Sequence, residues 1–412
     1  MAEAEQTEGP VESPVRELLR DRNFRSFWIA QVLYFGTNGT LRFMLVWLMV
    51  TLTDWSAAEG LVGIALGVPA LLLALHAGAW SDRADRRTFS LWWLAANAIT
   101  FAVFALLIAL DVVTPRLAGV AAFVIGALLV MIQPNFNAIV PVLVSPQRLM
   151  NAAALQNAGA QTANFAGLAF GGLIIALLGN AAGFVLLAVV MVIAFGLMWR
   201  VEIPRAESPT SERRSVRSEI MDGLRYGLGS EPRRTLLVAT LILGSSFSAM
   251  QISMPRVVEE DFGRGSFAAG VLLGTFGIGM LASSMFVASR AQMRHGLNVT
   301  LFIGIGLGMG QFLLSLSPNY GVAVAVMIAW GVNAGLAIAS HRTLLQQHTE
   351  PEMMGRVMGI MTLGFSGGLP FGALVQSILA PAVGPARTMT WVGLATMAIT
   401  IPLLFRRVIR TL

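Results

Sequence analysis

Apolar runs long enough to cross a bilayer follow one another along most of the chain, separated by short polar breaks. They are Phe27–Leu52, Gly60–Ala77, Thr88–Leu110, Leu117–Leu143, Leu149–Leu178 and Ala182–Trp199. After a longer polar stretch come Thr235–Val258, Phe267–Ala288, Leu297–Leu316, Val322–Leu345, Met354–Leu379 and Met389–Phe405. About twenty apolar residues in helical form match the thickness of a hydrocarbon core, so the pattern predicts an all-α membrane protein with about twelve transmembrane helices. The long interior break, Arg200–Arg234, reads as a polar linker whose second half, from Glu219 to Tyr226, spaces its apolar residues as a surface helix does. At the N-terminus, Met1–Ser13 is an acidic tail expected to be disordered, and Val15–Phe27 mixes Arg with Leu and Phe as an interfacial helix would.

Charge orients these elements. The loops on one side carry Arg83, Arg86, Arg87, Arg148, Arg290, Arg294 and Arg356, and the C-terminus adds Arg406, Arg407 and Arg410. The other side carries only Arg116, Arg264 and Arg387. By the positive-inside rule the richer side is cytoplasmic, and an even number of spans leaves both termini there. All 28 basic residues are Arg, and their scatter through loops fits membrane topology better than nucleic-acid binding. Charged residues make up 12% of the chain, against about a quarter in soluble domains, which excludes an ordinary globular protein. The absence of Cys excludes disulfides, thiolate metal sites and cysteine nucleophiles.

The two halves echo each other. Gly167-Leu168-Ala169-Phe170-Gly171-Gly172-Leu173 recurs as Gly368-Leu369-Pro370-Phe371-Gly372-Ala373-Leu374. Ser145–Met150 is matched in position by Glu350–Met354, and Arg83 and Arg86 more weakly by Arg290 and Arg294. Repeats in one order at nearly the same offset predict a duplicated six-plus-six arrangement with a binding site between the halves. The expected plan is a tail and interfacial helix over 1–26, one six-helix bundle over 27–199, a cytoplasmic linker over 200–234 and a second bundle over 235–412.

Between the second and third runs, Gly78-Ala79-Trp80-Ser81-Asp82-Arg83-Ala84-Asp85-Arg86-Arg87 has the spacing Gly-x-x-x-Asp-Arg-x-x-Arg-Arg. It resembles the signature loop of the major facilitator superfamily, with Asp85 standing where Gly is usual. Pro146–Gly172, Glu219–Leu237, Arg342–Gln346 and Pro351–Gly359 are similar to the branch that holds enterobactin exporters and transmembrane secretion effectors. The likeness runs from Arg22 to Arg407. It implies the major facilitator fold, alternating access and a bacterial inner-membrane exporter. It also implies a gating role for Gly78, Asp82, Arg83 and Arg86, and for Arg342 and Arg356 of the segments similar to the branch's tenth-to-eleventh helix signature.

Within the spans, Arg42 lies within about 5 Å of the middle of the first run, where a guanidinium is costly unless it meets a partner, water or substrate. Gln31, Tyr34 or Phe35, Asn38 and Arg42 follow helical spacing and predict one polar stripe. The resemblance implies that the first, fourth, seventh and tenth helices line the central cavity. This makes Gln31, Asn38, Arg42, Gln133, Asn137, Gln251, Arg256, Asn333 and His341 the candidate cavity residues. Gln156, Asn157, Gln161 and Asn164 are expected to support packing or a gate, and Gly304/Gly308 and Gly306/Gly310 to allow close helix approach.

No acidic residue falls deep in a span, which departs from the first-helix carboxylate of many drug/proton antiporters. His341, Asp82, Glu59, Asp111 and Glu259–Asp261 are the groups left to handle a coupling proton. No phosphate-cradling loop, metal spacing or catalytic set is present, so neither cofactor, metal nor enzyme activity is expected. The reading is a monomeric secondary transporter that exports a small amphiphilic, anionic, siderophore-like metabolite or drug, with protons as the candidate coupling ion. A multidrug/proton antiporter of cationic or neutral compounds, an importer, and a non-transporting membrane scaffold are the alternatives.

Overall fold

A computed structural model of the chain describes residues 14–83, 85–204, 216–288 and 306–404. The tail Met1–Ser13, the first half of the linker, Arg290, Arg294, Gly304, the first part of the ninth predicted run and the C-terminal Arg406, Arg407 and Arg410 lie outside that part. Among the described residues there are thirteen α-helices and no strand. They are α1 (Pro14–Arg20), α2 (Arg22–Leu52), α3 (Ala58–Arg83), α4 (Arg86–Ala109), α5 (Pro115–Leu143), α6 (Leu149–Trp199) and α7 (Val216–Leu228). There follow α8 (Glu231–Glu260), α9 (Ser266–Ala288), α10 (Leu307–Ser315), α11 (Tyr320–Gln347), α12 (Met354–Val383) and α13 (Pro385–Leu404). Seven of them, α4, α5, α6, α8, α9, α11 and α12, are long and apolar enough to cross a membrane.

Helix starts follow local chemistry. Asp21 accepts hydrogen bonds from the backbone N–H of Asn23 and Phe24, which opens α2 five residues earlier than the apolar run suggests. The interfacial helix expected over Val15–Phe27 is therefore split: α1 ends at Arg20, and Phe24 and Phe27 are fully buried at the start of α2. Asp85 caps α4 by accepting from the Thr88 N–H at 2.9 Å, so the residue that departs from the signature spacing has a structural task. Thr114 followed by Pro115 opens α5, and Asn319 opens α11.

The 51-residue α6 contains both the fifth and the sixth predicted runs. Its start carries Arg148, paired with Glu17 of α1, and the Trp199 carbonyl at its end accepts from Arg87 at the start of α4. Both ends thus lie at one end of the molecule, which we term the Arg86 end, and the helix folds back midway. The fold-back is at Gly179, whose φ of 77° is open to glycine at little cost.

Packing repeats across the chain. Gly167 and Gly171, on the first arm of α6, press against Gly36, Thr40 and Phe43 of α2. Gly368 and Gly372 of α12 press in the same way against Leu241, Ser245 and Ala249 of α8. A side chain at Gly167, Gly368 or Gly372 would collide with the facing backbone and one at Gly171 would crowd Phe43, so the echoed glycines hold equivalent close crossings. The two halves then interlock reciprocally, with α6 of the first against α9 of the second and α12 of the second against α3 of the first. The α7 helix docks on the second half: Tyr226 accepts from the Glu350 N–H, and the Arg233 guanidinium stacks 3.9 Å from the Tyr226 ring centroid.

Candidate functional site

At the end opposite Arg86, three helices meet in one buried ion pair. The Arg256 guanidinium, on the last turns of α8, donates from Nε and Nη2 to Glu59 Oε1 at 2.7 and 2.5 Å. Glu59 opens α3, so the pair joins the two halves. Nη2 also donates to the Thr53 carbonyl at the end of α2 at 2.7 Å, and Nη1 reaches Glu260 at 3.2 Å. The Arg256 and Glu59 side chains are 4% and 1% exposed, the only ion pair among the described residues with both partners so deeply buried. Outside the helix, the Asp261 carboxyl is pushed above the usual carboxylate range by partial burial and then by Glu260 beside it.

One to three turns inward on those same three helices lies a small cavity of about 30 Å³. Arg42 and Val46 come from α2, Gly63 and Gly67 from α3, and Ser248 and Gln251 from α8. The Arg42 Nε donates to Asn38 Oδ1 at 3.0 Å, and among the described residues no carboxylate pairs with it. Arg42, Asn38 and Gln251 are therefore gathered at a pocket between the halves, with Arg256 and Glu59 closing the end above it. A second cavity, of about 80 Å³, follows toward the Arg86 end. Aromatic side chains dominate it, and Gln161 and Asn164 stand at its edge.

The other predicted residues fall elsewhere. Gln31 is buried on α2, and Tyr34 turns to α5, donating to the Leu129 carbonyl at 2.5 Å, so the polar stripe divides between faces. Gln133 and Asn137 are exposed on α5, with Asn137 Oδ1 accepting from Gln156 at 3.2 Å. Asn333 lies against Gly306, and neither lines the two cavities. His341 is fully buried between α11 and α8, with Nε2 2.8 Å from the Thr240 hydroxyl. Of the gating set, Gly78, Asp82 and Arg83 occupy the last turns of α3, and their side chains lie outside the described part. Arg86 donates to the Ala138 carbonyl of α5 at 2.7 Å, Arg356 is 3.9 Å from Asp222 of α7, and Arg342 is exposed. The aromatic cavity was missed because an aromatic residue in an apolar helix carries no contrast to mark it.

This arrangement defines a class: a polytopic helical protein with a pocket between two interlocked halves, closed at one end by charge. The family model described as transmembrane secretion effector matches residues 14–411, and the chain belongs to that family of major facilitator superfamily transporters. It is similar to the staphyloferrin A transporter of Staphylococcus aureus (strain NCTC 8325 / PS 47), 22% identical over 92% of this chain and 95% of that protein. The uncharacterized MFS-type transporter YceJ of Bacillus subtilis (strain 168) is 24% identical over 80% of each chain. Among solved structures, a bacterial homologue of the human lysosomal transporter Spinster aligns with a TM-score of 0.74 at 12% identity, covering 98% of each chain. The nucleoside transporter NupG aligns with a TM-score of 0.69 at 16% identity, covering 92% of this chain and 98% of that one. The fold is that of the major facilitator transporters, and the protein is a multi-pass membrane protein.

Proposed function

We propose that the protein is a secondary active transporter, not an enzyme, that exports a small amphiphilic anion across a bacterial inner membrane by alternating access. Twelve spans form two six-helix bundles, 27–199 and 235–412, with the Arg86 end and both termini in the cytoplasm and the Glu59 end outside. The observation that carries the reading is Arg42: a guanidinium in a pocket between the halves that donates to the neutral Asn38 amide. Such a charge is stabilised by an anionic group arriving with the substrate and by water when the pocket is empty. The similarity to a transporter named for staphyloferrin A supports a siderophore-like metabolite as cargo.

On this reading the Arg256–Glu59 pair holds the outer end shut, in the state that exchanges cargo with the cytoplasm. Protons are the coupling ion of this reading, and Glu59 is the carboxylate that reads them. A proton there dissolves the pair with Arg256 and frees the halves to part. The test is retention of a panel of anionic, neutral and cationic amphiphiles in cells expressing the wild type or Arg42→Gln. Efflux of the anions should be fastest in the wild type and fall about tenfold or more in the variant. Preferred efflux of cations, untouched by Arg42→Gln, overturns the reading and favours a multidrug antiporter.

A further inference from the structure

The second cavity is built from rings on five helices: Phe165 of α6, Phe247 of α8, Phe276 of α9, Trp330 of α11 and Phe365 of α12. Phe247 is their hub, with ring centroids 6.0 Å from each of Phe165, Phe276 and Phe365. Phe276 meets Trp330 edge-on at 5.5 Å. These are favourable tilted and edge-to-face distances, yet a cavity of about 80 Å³ remains among the touching rings. The Trp330 Nε1 and Asn164 Oδ1 are also buried without a hydrogen-bond partner, and both residues line the cavity. A wall made only for packing would leave neither the space nor a pair of unsatisfied polar atoms.

Position ties this cavity to the Arg42 pocket. Phe165 and Leu168 on α6, Phe247 and Gln251 on α8, Phe276 and Leu273 on α9, and Phe365 and Leu369 on α12 are each about one helical turn apart, the first lining the aromatic cavity and the second the Arg42 pocket. The two spaces are therefore consecutive segments of one path between the halves. No carboxylate lines the aromatic segment among the described residues, and Arg42 stands one turn away. A cation held against the rings would face that guanidinium with nothing to compensate it.

We infer that the aromatic cavity is a subsite for a planar aromatic group of the transported anion, whose acidic group reaches Arg42 one turn further out. The inference rests on the anionic-cargo reading and adds the chemistry of the cargo's body. Ring faces and edges supply stacking partners, and Trp330 among them carries a buried N–H without a partner.

Calorimetric binding to the purified full-length protein in nanodiscs separates the two claims, with naphthoate, naphthylmethanol and decanoate as probes. Naphthoate should bind more tightly than decanoate. Phe247→Leu should weaken naphthoate about fivefold and leave decanoate within about twofold. Ile338→Trp, which fills the space and keeps all five rings, should do the same and guards against a Phe247 variant that folds poorly. Arg42→Gln should weaken naphthoate and decanoate alike and spare naphthylmethanol. The subsite is overturned if naphthoate binds no better than decanoate, if Phe247→Leu and Ile338→Trp weaken both acids equally, or if the folded wild type binds no aryl probe. If Arg42→Gln leaves naphthoate untouched while Phe247→Leu weakens it, the aromatic subsite stands and the anionic-cargo reading falls.

Discussion

Replacing Glu59 by Gln should unlock the outer end of the transporter. The substitution keeps size and hydrogen-bonding capacity and removes the charge that faces Arg256. The pair is 4% and 1% exposed and joins α8 to α3, so in the closed state the guanidinium would be left buried without its main counter-charge. Removing one partner of such a pair costs about 3–5 kcal/mol. The lower figure is the appropriate one, because Arg256 keeps the Thr53 carbonyl at 2.7 Å and Glu260 at 3.2 Å. In the open state both groups meet water and the substitution costs little, so about 3 kcal/mol shifts the closed-to-open ratio by about two decades. The chain has no Cys, so a single introduced thiol gives a clean report. Ile252, which lines the Arg42 pocket behind the lock and is 4% exposed, is the site to use. An Ile252→Cys protein in intact cells should react slowly with a membrane-impermeant maleimide, and adding Glu59→Gln should raise the rate by about ten- to a hundredfold. Arg256→Gln should act similarly, and the two together should add little, since both remove one interaction. An unchanged labelling rate in well-expressed Glu59→Gln protein refutes the lock.

Three further outcomes follow from the same geometry. Gly372→Leu forces a side chain into the Ser245 backbone of α8 and should lower the thermal midpoint in detergent, by an overpacking cost of about 1–3 kcal/mol, whereas the same change at Gly119, which has open space, should not. Asp261 binds its proton more tightly in the folded protein than when unfolded, so it adds stability as pH falls through a range above the usual carboxylate value; Asp261→Asn should remove that component of the pH dependence of the midpoint. Asp82→Asn, in the loop whose spacing resembles the superfamily signature, should impair export while membrane insertion, followed by fractionation, stays normal.

The spans were legible because a membrane helix must hide its backbone in a long apolar run, and such runs dominate this chain. The break between Leu178 and Ala182 marked the fold-back at Gly179, and the echo of Gly167–Leu173 in Gly368–Leu374 marked the paired close crossings. Arg42 was legible for the opposite reason, since one charge in an apolar run has few explanations. The start of α2 was not, because Asp21 overrides the apolar pattern with a cap. The partnership of Arg256 with Glu59 could not be read from residues 197 apart in sequence. The five rings escaped notice because helices apolar all round carry little periodic contrast to say which face looks inward.

Transport itself tests the central claim most directly. In the proposed orientation everted membrane vesicles expose the Arg86 end of the protein to the medium, and an imposed proton gradient supplies the proposed drive. Vesicles carrying the wild type should accumulate a radiolabelled aryl carboxylate, lose at least about nine-tenths of that rate with Arg42→Gln, and leave a lipophilic cation such as tetraphenylphosphonium behind. Accumulation of the cation in preference to the acid, at a rate that Arg42→Gln does not change, would contradict the account.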